Sequence, residues 1–417
     1  MFDTRAPINR RDLLTGVLAA AGLVVLPPRV LGASSSSFPE WLQSTAFDDF
    51  VRAQLASAFD PGLSLGIIYQ GSLLRTAGYG WADIAAQRPM EANTLMNIAS
   101  VTKTITCTAV MQLVERGKLR LDDDVNRYLP FRVRHPAHSD ARITVRRLLT
   151  HTSSITDGPA YQQSYACGDP RVSLGSWLRS YLVPGGSNYD AAANFGAWRP
   201  GEQWSYSNVA FGLLGLLIES ASRCSYMDYV IKNIFRPLGM TSSRILLAGM
   251  RPESHATPYT YITDGDVSAV PLRDPKWSPP PGQMTLQVPH CLYSFATPPD
   301  GLARTSAAEL SRFLLAYMGG GTLDGFRLLR FDTVRQILSD QRVPFPEEGG
   351  VQGLAWVGEK MQSSQANWNH SGGDPGVTTL MMFRPSDGRG LVIFANSSNP
   401  EALVAVANAV FGDAAVT

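Results

Sequence analysis

Charge of either sign is scarce in this 417-residue chain. Charged side chains make up 17% of it, below the ~25% usual for soluble domains. With 36 basic and 35 acidic residues, the formal net charge is +1. No broad basic surface is available, which excludes nucleic acid as a partner held through its phosphates. Cysteine is sparse too. The four present, Cys107, Cys167, Cys224 and Cys291, make no CxxC pair and the six histidines make no HExxH, so no metal or other cofactor is expected. The uncharged stretch Leu13 to Leu26 stops at 14 residues, short of the ~20 that a bilayer requires. The 37 glycines and 28 prolines follow no period, which excludes collagen and solenoids and points to long loops. What the chain does have is apolar content, 44% of residues, enough to bury a large core in one domain or two intertwined lobes.

The N-terminus reads as an address. Arg5, Arg10 and Arg11 precede the apolar stretch, and the small residues Gly32 and Ala33 follow it, the order of an export signal. The adjacent Arg10 and Arg11 suggest the twin-arginine route, with cleavage after Ala33 and a periplasmic or secreted product that keeps no membrane span. Residues 34–44 are then expected to be a flexible leader, and residues 45–412 the folded domain.

Within that domain, the apolar spacing of Phe50, Leu55 and Phe59 predicts a helix that Pro61-Gly62 stops. Residues 65–70 and 73–80 flank Gly71-Ser72 as a hairpin. Helical spacing dominates from residue 100 to about 320, with helices near 100–116, 144–150, 207–222, 225–236 and 306–318. Strand-like runs return at 353–357, 377–384 and 390–395, and a helix over 401–410 closes the chain. This order fits an α/β fold of the α+β type. Both chain ends would build one antiparallel sheet flanked by helices, with a large, mostly helical lobe inserted and a cleft between the lobes.

The sequence Ser100-Val101-Thr102-Lys103 opens a helix, so Ser100 and Lys103 share a face. A serine hydroxyl near its solution pKa is a poor nucleophile, and a lysine one turn away can take its proton if burial keeps the amine neutral. The chain has five lysines, and Lys103 alone has serine three residues before it. Tyr206-Ser207-Asn208 begins a strongly apolar helix, where a phenol beside a lysine can serve as acid or base. His370-Ser371-Gly372-Gly373 precedes the strand 377–384, and its glycines would let a ligand lie against the backbone. The N–H groups of Ser100 and Gly373 would pair as an oxyanion hole.

These three segments, in this order, resemble the serine β-lactamase and penicillin-binding-protein family, closest to its class C and esterase-like branch. The resemblance extends over residues 45–412 through ITVRRLLTHTSS (143–154), PGEQWSYSNVAFGLLGLLIE (200–219), RPLGMTS (236–242) and DGLARTSAAELSRF (300–313). It implies a β-lactamase/transpeptidase-like fold and an acyl-enzyme on Ser100, with Lys103 as proton acceptor and Tyr206 as shared acid/base. Asn208 would contact a substrate amide, and His370, Ser371 and Gly372 would form the third, substrate-binding motif. Many β-lactamases carry lysine where this chain has His370, and that ammonium helps to hold the drug's carboxylate. Relatives with His-x-Gly include esterases, D-amino-acid peptidases and transacylases. The resemblance therefore implies a small-molecule or peptide acyl substrate with an ester, amide or D-amino-acid-type peptide bond. A β-lactam hydrolase, a transacylase and a non-catalytic cell-wall-binding or sensor protein are the alternatives. Ser154 stands where the family string usually has glycine.

Gly62-Leu63-Ser64-Leu65-Gly66 matches the Gly-x-Ser-x-Gly elbow of another hydrolase fold, but that elbow needs a strand before it and a helix after it. Here the order is reversed, and Ser64 reads as a strand-edge residue. His151 reads as a structural hydrogen-bonding group and Cys107 as a small core residue. Export makes a Cys167–Cys291 disulfide possible, and folding before twin-arginine export would delay it, so the sequence leaves that pairing open. The long segments 156–198 and 252–299 are expected to wall the pocket, with Tyr161, Tyr165, Trp277 and Tyr293 either lining it or packing the loops.

Overall fold

Strands β1 (Gly62–Tyr69), β2 (Ser72–Asp83) and β3 (Arg88–Pro89) come early in the chain. Strands β4 (Gly350–Gln352), β5 (Val357–Lys360), β6 (Ala366–Asp374), β7 (Val377–Arg384) and β8 (Arg389–Ala395) come late. The computed structural model, which describes residues 37–346, 349–360 and 366–412, joins them in one eight-stranded sheet of order β4-β5-β6-β7-β8-β1-β2-β3. Every pairing is antiparallel, and β1 meets β8 from Leu63↔Ala395 to Ile68↔Gly390. The two chain ends thus build the sheet, as the sequence pattern predicts.

Five helices matter most for the site: α1 (Thr45–Ala58), α2 (Thr102–Glu115), α3 (Asn208–Ser222), α4 (Ala307–Met318) and α5 (Glu401–Phe411). Leu63, Leu65 and Ile67 of β1, Leu380 and Met382 of β7, and Leu391 and Ile393 of β8 bury against α1 and α5. The alternate residues Met381, Phe383, Val392 and Phe394 join the larger core that α4 and the helical lobe share. With both faces covered, β7 and β8 read as continuous apolar runs rather than alternating ones. Gly66 lets α4 lie directly on β1, because a Cβ there would be 2.0 Å from Ser311 Oγ. In the lobe, α2 is buried on all sides from Thr102 to Leu113, and so is α3 from Val209 to Ile218. Threonines inside α2 satisfy their hydroxyls: Thr106 Oγ1 donates to Pro299 O at 2.6 Å and Thr108 Oγ1 to Thr104 O at 2.8 Å.

Several expectations need correction. The signal and the first leader residues lie outside the described residues, but Phe38–Leu42 forms a short helix rather than a flexible leader. Its Trp41 packs edge-on against Phe47 and Arg389 sits over the Phe38 ring, contacts that order the segment. Of the strand expected at 353–357, residues 353–356 form a turn, closed by Gly353 N–H to Trp356 O at 2.8 Å and passing through Ala355 at φ +63°, and Val357 opens β5. Its apolar residues are buried by the lobe beneath, not by sheet pairing. Ser64 lies inside β1, fully buried and paired with Phe394 and Gly78, not at a strand edge. The helix before it and the strand around it confirm that it is no nucleophile elbow.

Asp60, between α1 and β1, is 7% exposed, and among the described residues neither carboxyl oxygen has a partner within hydrogen-bond geometry. Burial pushes its carboxyl up to about 7 against the pull of nearby Ser397. Folding therefore favours the protonated form. Stability is expected to fall as pH rises from about 4 to 7 and then to level off, since only the unfolded chain is ionised in that window. Asp60→Asn removes the ionisation and is expected to raise stability at pH 8 by roughly 2–4 kcal/mol while changing little at pH 4. Urea melts of both proteins at pH 4, 6 and 8 check this, and a constant difference across pH contradicts it.

Candidate active site

The turn Ala99–Val101 delivers Ser100 to the start of α2. Ala99 sits at φ +44°, a left-handed conformation that costs about 1–3 kcal/mol outside glycine. The surroundings hold it there. Ala99 N–H donates to Asn97 Oδ1 at 2.9 Å, Thr379 Oγ1 to Ile98 O at 2.9 Å, and Ala303 N–H to Thr102 Oγ1 at 3.0 Å. Hydrogen bonds at this turn are donated by Val101 N–H, to Ile98 O, and Thr102 N–H, to Ala99 O and Ser100 O. Ser100 is partly exposed, whereas Lys103, one helical turn on, is fully buried.

Lys103 Nζ donates to Asp300 O at 2.6 Å and to Asn208 Oδ1 at 2.7 Å, and lies 3.2 Å from Ser100 Oγ. A carbonyl and a carboxamide oxygen can only accept, so two Nζ hydrogens are committed. The remaining tetrahedral position faces Ser100: a third N–H in the ammonium, a lone pair in the neutral amine. Lysine can therefore gain or lose its proton only toward the serine. Tyr206 Oη stands 2.8 Å from the same Oγ, and Lys103 Nζ lies 4.9 Å from the Tyr206 ring centre. Lys103, from the same segment as Ser100, and Tyr206, from a distant one, thus converge on the Ser100 oxygen.

Asn208 begins α3. Its amide is occupied on both sides, Oδ1 by Lys103 and Nδ2 by Asp157 Oδ2 at 2.9 Å, which leaves one N–H for a substrate. Asp157, absent from the sequence reading, also accepts from Asn208 N–H at 2.9 Å and Val209 N–H at 3.0 Å. Burial raises its carboxyl, and the Val209 and Asn208 amides oppose the shift. His151 is a positioning group, as expected: its Nδ1 accepts from Ser207 N–H at 3.1 Å and its ring lies 4.3 Å from that of Tyr206. Ser154 occupies φ +64°, which explains the glycine usual at that place, and donates to Trp198 O at 2.9 Å.

His370 to Gly373, placed by the sequence before the strand 377–384, themselves lie on a strand, β6, paired with β7. A polar, glycine-rich stretch hides its strand character because tertiary pairing, not apolar alternation, makes it one. His370 is fully buried, with Nδ1 2.7 Å from Ser371 O, so that nitrogen carries the proton. Ser371 is 6% exposed, and its buried hydroxyl has no hydrogen-bond partner among the described residues. Gly372 makes room for the serine turn rather than for a ligand: a Cβ there would be 2.8 Å from Ile98 O and 2.9 Å from Ser100 N. Gly373, next along, is exposed.

The Beta-lactamase family model matches residues 47–415. The chain belongs to the beta-lactamase family. It is a serine hydrolase of that family. Penicillin-binding protein 4* of Bacillus subtilis is 26% identical over 336 residues, covering 79% of this chain and 67% of that protein. Esterase EstB of Burkholderia gladioli is 35% identical over 233 residues, covering 54% of this chain and 58% of the esterase. The octameric penicillin-binding protein homologue of Pyrococcus abyssi has the same fold, with a TM-score of 0.66 at 24% identity over 87% of this chain and 75% of that one.

Within this family member, the two long segments meet at the end of β6. Tyr165 Oη donates to Asp374 Oδ1 at 2.9 Å and Tyr293 Oη to Pro375 O at 2.9 Å. Cys167 and Cys291 are disulfide-bonded beside them, resolving the pairing the sequence left open. The Tyr165 ring meets Tyr161 edge-on and lies tilted against Tyr293 and Phe295, whereas Trp277 packs on a separate small core with Val270, Leu286 and Val288. Burial pushes Asp374 up to about 6, against hydrogen bonds from Tyr165 and Asn97, and raises Asp300 despite the nearby Lys103 charge. Among the described residues no cluster of metal-binding side chains occurs, and no helix is long and apolar enough to cross a membrane.

Gly372→Ala is expected to push β6 off the serine turn. The reaction of Ser100 with a fluorophosphonate should slow by ~10²-fold, the scale of losing one oxyanion donor, while the melting temperature drops only modestly. Labelling at the wild-type rate would show that the close approach of β6 does not matter to the nucleophile.

Proposed function

We propose that this protein is an exported hydrolase of carboxylic esters that works through an acyl-enzyme on Ser100, with amides and D-amino-acid-type peptides as slower substrates. The observation that carries the reading is the convergence of Lys103 Nζ and Tyr206 Oη on Ser100 Oγ. Ser100 Oγ attacks the acyl carbon as its proton passes to the lone pair of Lys103. The oxyanion that forms lies between the N–H groups of Ser100 and Gly373. Collapse breaks the bond to the leaving group, which takes a proton from Tyr206. Water then enters, gives up a proton to the same network and releases the acid, restoring Ser100.

Two features support an ester over a β-lactam. His370 supplies a buried imidazole where an ammonium would hold a carboxylate. The EstB resemblance, at 35% identity, points the same way. The disulfide between Cys167 and Cys291 supports export, since such bonds persist in oxidising compartments.

Intact-mass analysis after fluorophosphonate treatment is expected to show one adduct, on Ser100, that Ser100→Ala eliminates together with p-nitrophenyl butyrate turnover. Wild type should turn over nitrocefin far more slowly than the butyrate ester. Nitrocefin hydrolysis at the rate of a dedicated β-lactamase would replace the ester reading with the β-lactam one, and ester turnover surviving in Ser100→Ala would sink both.

A further inference from the structure

Asn208 can present either its oxygen or its NH2 group to Lys103, and the two flips have opposite effects on proton transfer. With oxygen inward, Lys103 has two acceptors and its third position faces Ser100. With NH2 inward, donor meets donor, and the lysine loses one of the two anchors that aim it. Nothing in Asn208 itself selects between these flips. The selection comes from behind, where Asp157 Oδ2 accepts from Asn208 Nδ2 at 2.9 Å. The same carboxylate is surrounded by donors alone: the N–H groups of Asn208 and Val209 at 2.9–3.0 Å and Ser207 Oγ at 3.3 Å. A group whose close partners among the described residues are two backbone N–H groups and a carboxamide NH2 serves as a carboxylate, and a carboxylate has no hydrogen to offer an inward-turned oxygen.

We propose that Asp157 is a positioning residue for the acyl-transfer reaction: its carboxylate locks the Asn208 carboxamide with oxygen toward Lys103 Nζ, and thereby aims the remaining Nζ position at Ser100. The inference rests on the acyl-serine reading above and extends it to a group that touches neither substrate nor nucleophile. It differs from simple capping of α3. An amide at position 157 retains an oxygen for the helix amides, but its NH2 group faces Asn208, whose own amide must flip to accept from it and so turns NH2 toward Lys103.

The test is an exchange of the two side chains. Asp157→Asn is expected to slow acylation by p-nitrophenyl butyrate at least ~10-fold, and Asn208→Asp likewise, because it sets two carboxylates side by side. The double variant Asp157→Asn/Asn208→Asp restores a donor facing an acceptor at the rear and an oxygen facing Lys103, so it should acylate at least ~10-fold faster than either single variant. The rescue should appear in kcat, with KM for the ester little changed. Melting temperatures separate this from capping, which predicts that rate follows stability and that the double variant is the worst of the three. An unimpaired Asp157→Asn, or a double variant no faster than the singles, overturns the proposal while fluorophosphonate labelling of Ser100 still stands. A wild type that never labels at Ser100 overturns both readings.

Discussion

A fully buried lysine, held by three oxygens, is the constraint around which this structure is organised. An amine removed from water is tolerated only if its hydrogens find acceptors. The chain meets that demand from two remote places and one near: the side chain of Asn208 at the start of α3, the backbone carbonyl of Asp300, and Ser100 on the turn just before the lysine's helix. Each supplier has its own support. Asn208 leans on Asp157, and the Asp300 side chain is held by the hydroxyls of Thr297 and Tyr161. Reactivity at Ser100 follows from the need to satisfy Lys103, because the one position left on the nitrogen is the one that faces the nucleophile.

The sheet contributes by proximity. Strand β6 lies so close to the serine turn that only a residue without Cβ fits between them. The turn itself is kept in an unfavourable conformation at Ala99 by the bond that Thr379 on β7 donates to Ile98 O and the one that Ala99 N–H donates to Asn97 just before it. Catalytic geometry of this kind depends on two lobes being pressed together, and the apolar surfaces of β7, β8, α4 and the lobe do the pressing.

Much of this was legible in the sequence, for a physical reason. Ser100, Lys103, Tyr206 and Asn208 sit at helix starts, where spacing along the chain fixes which side chains share a face. The sheet formed by the two chain ends was visible because β1, β7 and β8 are strongly apolar. What escaped depended on contacts distant in sequence. Asp157 shows no local pattern, and Asp300 acts on Lys103 through a carbonyl that every residue possesses. Strand β6 is polar and glycine-rich, so its strand character did not show, and Gly372 was assigned to a ligand when its neighbour is Ser100. The apolar stretch Leu354 to Trp356 read as a strand because burial beneath a lobe looks the same as burial in a sheet. Composition left Trp277 either lining the pocket or packing the loops, and the structure places it in a small loop core.

The pairing of β1 with β8 has a consequence for the time course of folding. Leu63 is made early and must wait for Ala395 before it has a neighbour on that side. Until then the hairpin of β1 and β2 carries an open, apolar edge, the kind of surface that attracts other chains. Such distant pairings are slow to form, since the loop between them must close before any contact rewards it. The order of synthesis therefore leaves the serine turn and its helix, complete by residue 115, without the strand that packs against the turn until residues 366–374 have emerged. A nascent or truncated chain would own every proton-transfer group of the site and still lack the backbone wall opposite Ser100, so reactivity arrives late, together with closure of the sheet.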